Sequence, residues 1–251
     1  MNVNVYNKTF NWWHNFANKE VDFFSTDTEE LYKQNLIKHP KQMEAFNWTS
    51  NTFKYKFNSQ GFRSDEFTTD SIMFLGCSIT QGIGMPIEDI FPTIISKKLN
   101  VKHCNLGLER TSANTAFRLA YHYLPIIKPK ILVSTLLYPH RLELLLMDRA
   151  IHFIPNPKYQ DRDAFSIKHY VEYYGKWISQ AENYELNYKK NILAINQLCD
   201  DLNIKFVNFI DLLPHEKAIS MMQDNNSKAR DLVHPGFSTH QIMAEVILNV
   251  L

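Results

Sequence analysis

Cysteine is scarce in this chain: 251 residues carry three, Cys77, Cys104 and Cys199. An odd number at wide spacing excludes a disulfide framework and reads as reduced thiols. A basic excess is also missing, since 27 Lys and Arg face 26 Asp and Glu for a formal net charge of +1. With the two signs interspersed and no basic face, nucleic acid is not an expected partner. There is no run of about 18 uninterrupted apolar residues, so no membrane-spanning helix is expected. The start, MNVNVYNKTFNWWHNF, lacks a basic stretch followed by an apolar one, so a signal peptide is not expected and a cytoplasmic location is. No H-E-x-x-H or clustered Cys/His spacing supports a metal site, and no cofactor is expected. Internal repeats and low-complexity segments are absent. What remains, 45% hydrophobic and 21% charged residues, is ordinary for a soluble globular chain long enough to bury a full core.

From about Ser71 onward, short β-rich runs alternate with helical patterns. Strands are predicted at Ile72–Leu75, Val101–Leu108, Lys130–Leu137 and Ile204–Ile210. Helices are predicted over Glu88–Leu99, Thr111–Lys128 and Asn183–Leu202, with a last one starting near Ser238. Thr111, Ser112 and Asn114 are cap-forming residues ahead of an apolar stripe. Ser238 and Gln241 have the spacing of a capping box. The alternation implies an α/β fold, a parallel sheet covered by helices on both faces in three α/β/α layers. Such sheets bind ligands at the carboxyl ends of their strands, which makes Gly76–Ser78, Gly107 and Leu137–Arg141 neighbours in space. Residues 1–70 are aromatic-rich and irregular and read as an N-terminal extension packed on the core domain, residues 71–251. Residues 138–185, dense in Tyr, His and Pro, read as a lid-like insertion.

The stretch SIMFLGCSITQGIGM, Ser71 to Met85, stops an apolar strand at Gly76-Cys77-Ser78. Three chemistries use such a turn. A phosphate-cradling loop needs G-x-x-x-x-G-K-[ST], but five residues separate Gly76 from Gly82 and Ile83 stands where the lysine belongs. A dinucleotide fingerprint would require a third glycine at Ile87. Presentation of a nucleophile remains, and a serine hydroxyl needs a base that is itself oriented by a third group. RDLVHPGFS, Arg230 to Ser238, offers both: Asp231 and His234 are three apart, and Pro235 keeps His234 out of helical geometry. One turn can hold the carboxylate against one imidazole nitrogen while the other points away.

These residues resemble the SGNH (GDSL-type) hydrolases over roughly Phe57 to Leu251. The family's final block D-x-x-H-P is met by Asp231-Leu232-Val233-His234-Pro235. Its first block, G-D-S, appears as Gly76-Cys77-Ser78, and its second-block glycine as Gly107 in Asn105-Leu106-Gly107. NSQGFR, Asn58–Arg63, looks like the lead-in of many relatives. The resemblance implies a flavodoxin-like parallel sheet, Ser78 as nucleophile, His234 as general base and Asp231 as its orienter. It also implies an oxyanion hole from the N–H groups of Ser78 and Gly107. Two blocks depart from the family. Cys77 replaces the first-block aspartate, and Leu137-Tyr138-Pro139-His140-Arg141 replaces the third block, whose asparagine gives another oxyanion bond. Proline cannot donate, so either another group substitutes or the enzyme is slow; Arg141, Asn114 and His140 are the candidates, and Arg141 is preferred because it follows the third strand closely and a cation suits developing negative charge.

Blander readings compete at each position. Cys77 fits a small buried filler better than a nucleophile, Asp231 could cap a turn, His240 sits inside the last helix, and Trp12 and Trp13 suit hydrophobic packing. The expected activity is hydrolysis of a small acyl ester, possibly acetyl on a carbohydrate or other alcohol, through an acyl-enzyme on Ser78. An acyltransferase with the same triad, and a catalytically weak binding or assembly protein, stay open.

Overall fold

The computed structural model describes residues 12–50, 52–145, 150–154, 168–223 and 226–251. Ahead of the main sheet lie β1 (Glu20–Val21), α1 (Glu29–Lys38), α2 (Pro40–Ala45) and β2 (Tyr55–Lys56). There follow β3 (Ile72–Gly76), α3 (Ser78–Gln81), α4 (Phe91–Leu99), β4 (His103–Asn105), α5 (Ala113–Ile127) and β5 (Ile131–Thr135). Next come β6 (Leu142–Leu145), β7 (Ala150–Phe153), α6 (Lys168–Ile178) and α7 (Ala181–Asp201). The chain closes with β8 (Lys205–Asn208), α8 (His215–Met222) and α9 (Phe237–Leu248).

The central sheet has the order β4-β3-β5-β8 with every pair parallel, the order of the first four strands of flavodoxin-like sheets. Side chains of β3 alternate between two cores. Ile72 and Phe74 pack with Phe91, Ile95, Met243 and Ile247 of α4 and α9. Met73 and Leu75 pack with Leu119, Ala120, Ile195 and Cys199 of α5 and α7. Because both faces are covered, the strand is apolar throughout instead of alternating. This is the three-layer α/β/α arrangement. Cys104 and Cys199 are buried in one core and Cys77 in the other, all three as free thiols.

Several predicted elements change at their ends: Lys130–Leu137 shortens to Ile131–Thr135 and the helix of Glu88–Leu99 starts at Phe91. The run Val101–Leu108 gives a strand of three residues, but the N–H groups of Leu106 and Leu108 still donate to Phe74 O (2.9 Å) and Gly76 O (3.1 Å). At Ile204–Ile210, β8 is followed by a 3-10 turn, Phe209–Asp211. Ser112 and Thr115 form a reciprocal capping box at the start of α5. The box expected at Ser238 and Gln241 does not form. Gly236 is the N-cap of α9, and the Ser238 N–H donates to Ser227 Oγ at 3.2 Å. The reason is a tie upstream: Gly236 N–H donates to Ser227 O at 3.0 Å, which sets the Ser227 hydroxyl over the first turn and starts the helix earlier.

The described part of the N-terminal segment joins several cores. Trp13 and Phe62 pack into the α5 side, while Met43 and Trp48 pack with Met85, Ile90 and Ala229. Trp48 Nε1 donates to Lys228 O at 2.8 Å. The side chain of Trp12 lies outside the described residues. Within the insertion, β6 and β7 form an antiparallel hairpin, and its Glu143 receives Arg118 of α5 from Nε (3.1 Å) and Nη2 (2.6 Å). Residues 146–149 and 155–167 of the expected lid lie outside the described residues, and the remainder of 138–185 includes α6 and the start of α7.

His240 of α9 is wholly internal, and its Nδ1 accepts the Phe91 N–H at 3.2 Å, capping α4 from another helix. Burial, then repulsion from Arg63 and His234, pushes its pKa down from 6.5 to about 3. Between those values the unfolded chain binds a proton that the folded chain refuses, so stability falls as pH drops through that window. One such proton contributes a slope of about 1.4 kcal/mol per pH unit. His240→Asn keeps an acceptor near the Nδ1 position and removes the proton. Denaturant melts between pH 6 and 4 should therefore show a shallower decline in the variant; identical slopes would contradict the assignment.

Candidate active site

The site begins with a close passage. A Cβ at Gly76 would lie 2.0 Å from Thr80 Oγ1 and 2.3 Å from Thr135 Oγ1, so a larger residue would push α3 off the end of β3. The two threonine hydroxyls, 2.5 Å apart, hydrogen-bond across the junction. Cys77 is the N-cap of α3, with its side chain 2% exposed in the apolar core. Ser78 is the first helical residue, so its N–H has no acceptor within the helix, and its hydroxyl faces a cavity.

Residues distant in sequence clamp α3. Arg63, the last residue of NSQGFR, donates from Nη1 to Gln81 O (3.3 Å) and to Gly82 O, and from Nη2 to Met85 O (2.6 Å). It thereby satisfies carbonyls that a helix end leaves unpaired. Asn105 Nδ2 donates to Thr80 O at 2.7 Å, and its Oδ1 accepts the Gly107 N–H at 2.9 Å.

His234 arrives on a tight turn in which Leu232 takes a left-handed φ of 56°, a conformation that residues with a branched or bulky side chain seldom adopt. His234 Nε2 lies 2.9 Å from Ser78 Oγ, and His234 Nδ1 lies 2.7 Å from Asp231 Oδ2. Asp231 is fully buried and accepts four bonds. Oδ1 takes the N–H groups of Val233 (2.9 Å) and His234 (3.0 Å), and Oδ2 takes His234 Nδ1 and the Thr26 hydroxyl (2.7 Å). Burial pushes this carboxyl up, but the attraction and hydrogen bonds of His234, with Thr26, outweigh it and hold the pKa at about 2. An ionised carboxylate only accepts, so Nδ1 carries the imidazole proton. Nε2 of the neutral ring is then the acceptor for the Ser78 O–H.

The next residue back, Arg230, is also internal. Its Nε lies 3.1 Å from both Asp27 oxygens and its Nη2 2.7 Å from Asp27 Oδ2. Tyr55 Oη donates to the same Oδ2 at 2.6 Å, and the guanidinium stacks 4.0 Å from the Phe53 ring centre. Burial lifts the Asp27 carboxyl above the usual range, against the pull of Arg230 and Tyr55.

Ser78 and His234 open onto a cavity of about 360 Å³. Ile79, Ile83, Ile154, Met222 and Val233 give it apolar walls, and Arg110, His140 and Arg141 give it polar ones. The expected oxyanion partners are placed unequally. Arg141 faces the cavity, its guanidinium 4.4 Å from the Tyr138 ring centre and its Nη1 3.5 Å from Thr111 O. His140 is a neighbour there, its pKa lowered by burial and then by the charge of Arg141. Asn114 pairs with Asn187 of α7 at 3.2 and 2.9 Å instead. Gly107 is placed differently from its expected role. Its N–H is held by Asn105, and a Cβ there would lie 2.5 Å from Gln81 N. Its smallness serves the packing of the loop against α3. His240 caps α4 by accepting the Phe91 N–H.

No family model matches this chain, and no curated protein matches it. Among solved structures it is similar to a member of the lipolytic G-D-S-L family from Veillonella parvula, 16% identical over 72% of this chain and 97% of that one, TM-score 0.36. It is also similar to the esterase EstA from a Pseudoalteromonas species, 14% identical over 72% and 95%, TM-score 0.36. An acetylxylan esterase from Geobacillus stearothermophilus is 11% identical over 73% and 94%, TM-score 0.37. At that distance the likeness assigns no activity, and the side-chain geometry must carry the functional reading.

Sequence reasoning missed Thr26 and Asp27, and noticed Asn105 only beside Gly107 and Arg63 only as part of a lead-in. The Asp27–Arg230 pair should matter greatly to stability. Arg230→Met leaves a buried carboxylate without its counter-ion, a change that typically costs about 3–5 kcal/mol. Adding Asp27→Asn should recover part of that loss, giving a double-mutant coupling well above the error of urea denaturation. Additive losses would show that the pair is not coupled.

Proposed function

We propose that this protein is a serine hydrolase acting on carboxylic esters, with Ser78 as nucleophile, His234 as general base and Asp231 as its orienter. The observation that carries the reading is the unbroken chain from Asp231 Oδ2 through both imidazole nitrogens to Ser78 Oγ, at 2.7 and 2.9 Å. His234 Nε2 takes the hydroxyl proton as Oγ attacks the ester carbonyl, and returns it to the departing alcohol. Water, activated by the same nitrogen, then releases the acid from the acyl-enzyme. The Ser78 N–H and the Arg141 guanidinium are assigned to the negative charge that develops on the carbonyl oxygen. Arg141 is assigned the role that Pro139, with neither a side-chain nor a backbone N–H to donate, cannot fill. The apolar walls of the cavity suit the acyl part of an ester, and acetyl is assigned from the family resemblance stated above.

A fluorophosphonate probe with peptide mapping, together with p-nitrophenyl acetate turnover, tests this reading. Wild type and Cys77→Ala should label, and Ser78→Ala should not. Arg141→Ala should lower kcat by about 10²–10³, the usual cost of one oxyanion donor. Labelling that survives in Ser78→Ala and disappears in Cys77→Ala would transfer the role to the thiol, and wild-type protein inert to both reagents would end the proposal.

A further inference from the structure

The turn Phe24–Asp27 is tightly closed. Phe24 N–H donates to Asp27 O at 3.0 Å and Asp27 N–H to Phe24 O at 3.1 Å, leaving Ser25 and Thr26 at its tip. Ser25 takes a left-handed φ of 60°, a conformation that a residue with a side chain holds only when its surroundings over-determine it, as they do at functional sites. The surroundings here are the site itself. Ser25 Oγ donates to Glu109 on the cavity wall, Thr26 Oγ1 donates to Asp231, and Asp27 grips Arg230. Three consecutive side chains of the N-terminal segment thus reach Glu109 on the cavity wall, Asp231 behind His234, and Arg230 next to Asp231 in the chain.

Thr26 has the most direct part. Its hydroxyl is 2.7 Å from the same oxygen, Asp231 Oδ2, that receives His234 Nδ1, and 3.4 Å from Nδ1 itself. We infer that Thr26 is a positioning residue of the triad: by donating to Asp231 Oδ2 it fixes that oxygen and divides its accepting capacity between the hydroxyl and the imidazole. The N-terminal segment is therefore part of the working site, and its other ties are arranged so that Thr26 cannot drift. Asp27 holds Arg230 from Nε and Nη2, Tyr55 Oη bonds Asp27, and the Gly84 N–H donates to Tyr55 Oη at 2.7 Å. The consequence for turnover rests on the esterase reading; the consequence for the Asp231–His234 bond does not.

Thr26→Val keeps the shape and removes the hydroxyl, and Thr26→Ser restores it. In uniformly ¹⁵N-labelled protein, the hydrogen-bonded Nδ1 proton of His234 should move further downfield in Thr26→Val, because Oδ2 then serves one donor in place of two. It should return toward the wild-type position in Thr26→Ser. The kcat for p-nitrophenyl acetate should fall roughly tenfold in Thr26→Val, on the scale of a charge-assisted hydrogen bond, and recover in Thr26→Ser. An unmoved resonance in Thr26→Val overturns the inference whatever the turnover, and so does Thr26→Ser behaving like Thr26→Val, which would assign the effect to the lost methyl. Wild-type protein that neither labels nor turns over refutes the hydrolase reading, and the resonance still decides for Thr26.

Discussion

A carboxylate sealed from water must find all its donors within the protein, and Asp231 finds four. Two are backbone N–H groups of its own turn, one is His234 and one is Thr26. The local bonds make the turn, and the other two give it a direction. Together they keep the group ionised and keep the imidazole proton on the nitrogen facing away from Ser78. Without that charge the ring would have no reason to prefer the tautomer in which Nε2 can accept from the hydroxyl.

The opposite half of the site depends on small residues. Gly76 lets α3 fold back across the end of β3, and Gly107 lets the next loop pass along the backbone of α3. Once there, α3 is held by Asn105 from one side and Arg63 from the other. Such a four-residue helix would be negligible alone, because nucleating a helix costs more than its first bond returns. Its persistence comes from these clamps. The hydroxyl is thus presented by a rigid corner and not by a free loop.

Much of this was legible in the chain itself, and the limits have physical causes. Apolar runs such as Ile72–Leu75 marked strands buried on both faces, and the periodic stripe after Ser112 marked α5. Asp231, His234 and Ser78 stood out because the chemistry requires those residue types and a three-residue spacing lets a carboxylate meet an imidazole. The structure brings the three together. Gly107 was legible as a required glycine, but sequence cannot tell a glycine needed for close passage from one needed for an N–H. Ser238 had the residue types of a capping box, and the cap came instead from Ser227, a tertiary arrangement that no local pattern encodes. Thr26 and Asp27 could not have been found, since their partners lie about two hundred residues away and nothing local marks either one.

Acylation of the Ser78 hydroxyl is tested most directly by trapping the intermediate. Enzyme mixed with p-nitrophenyl acetate and acid-quenched during the first turnover should carry one acetyl increment by mass spectrometry, located on Ser78 in the peptide that also contains Cys77. An increment on Cys77, or none on either residue while nitrophenol is released, would contradict the assignment of Ser78 and of the hydrogen-bonded chain behind it.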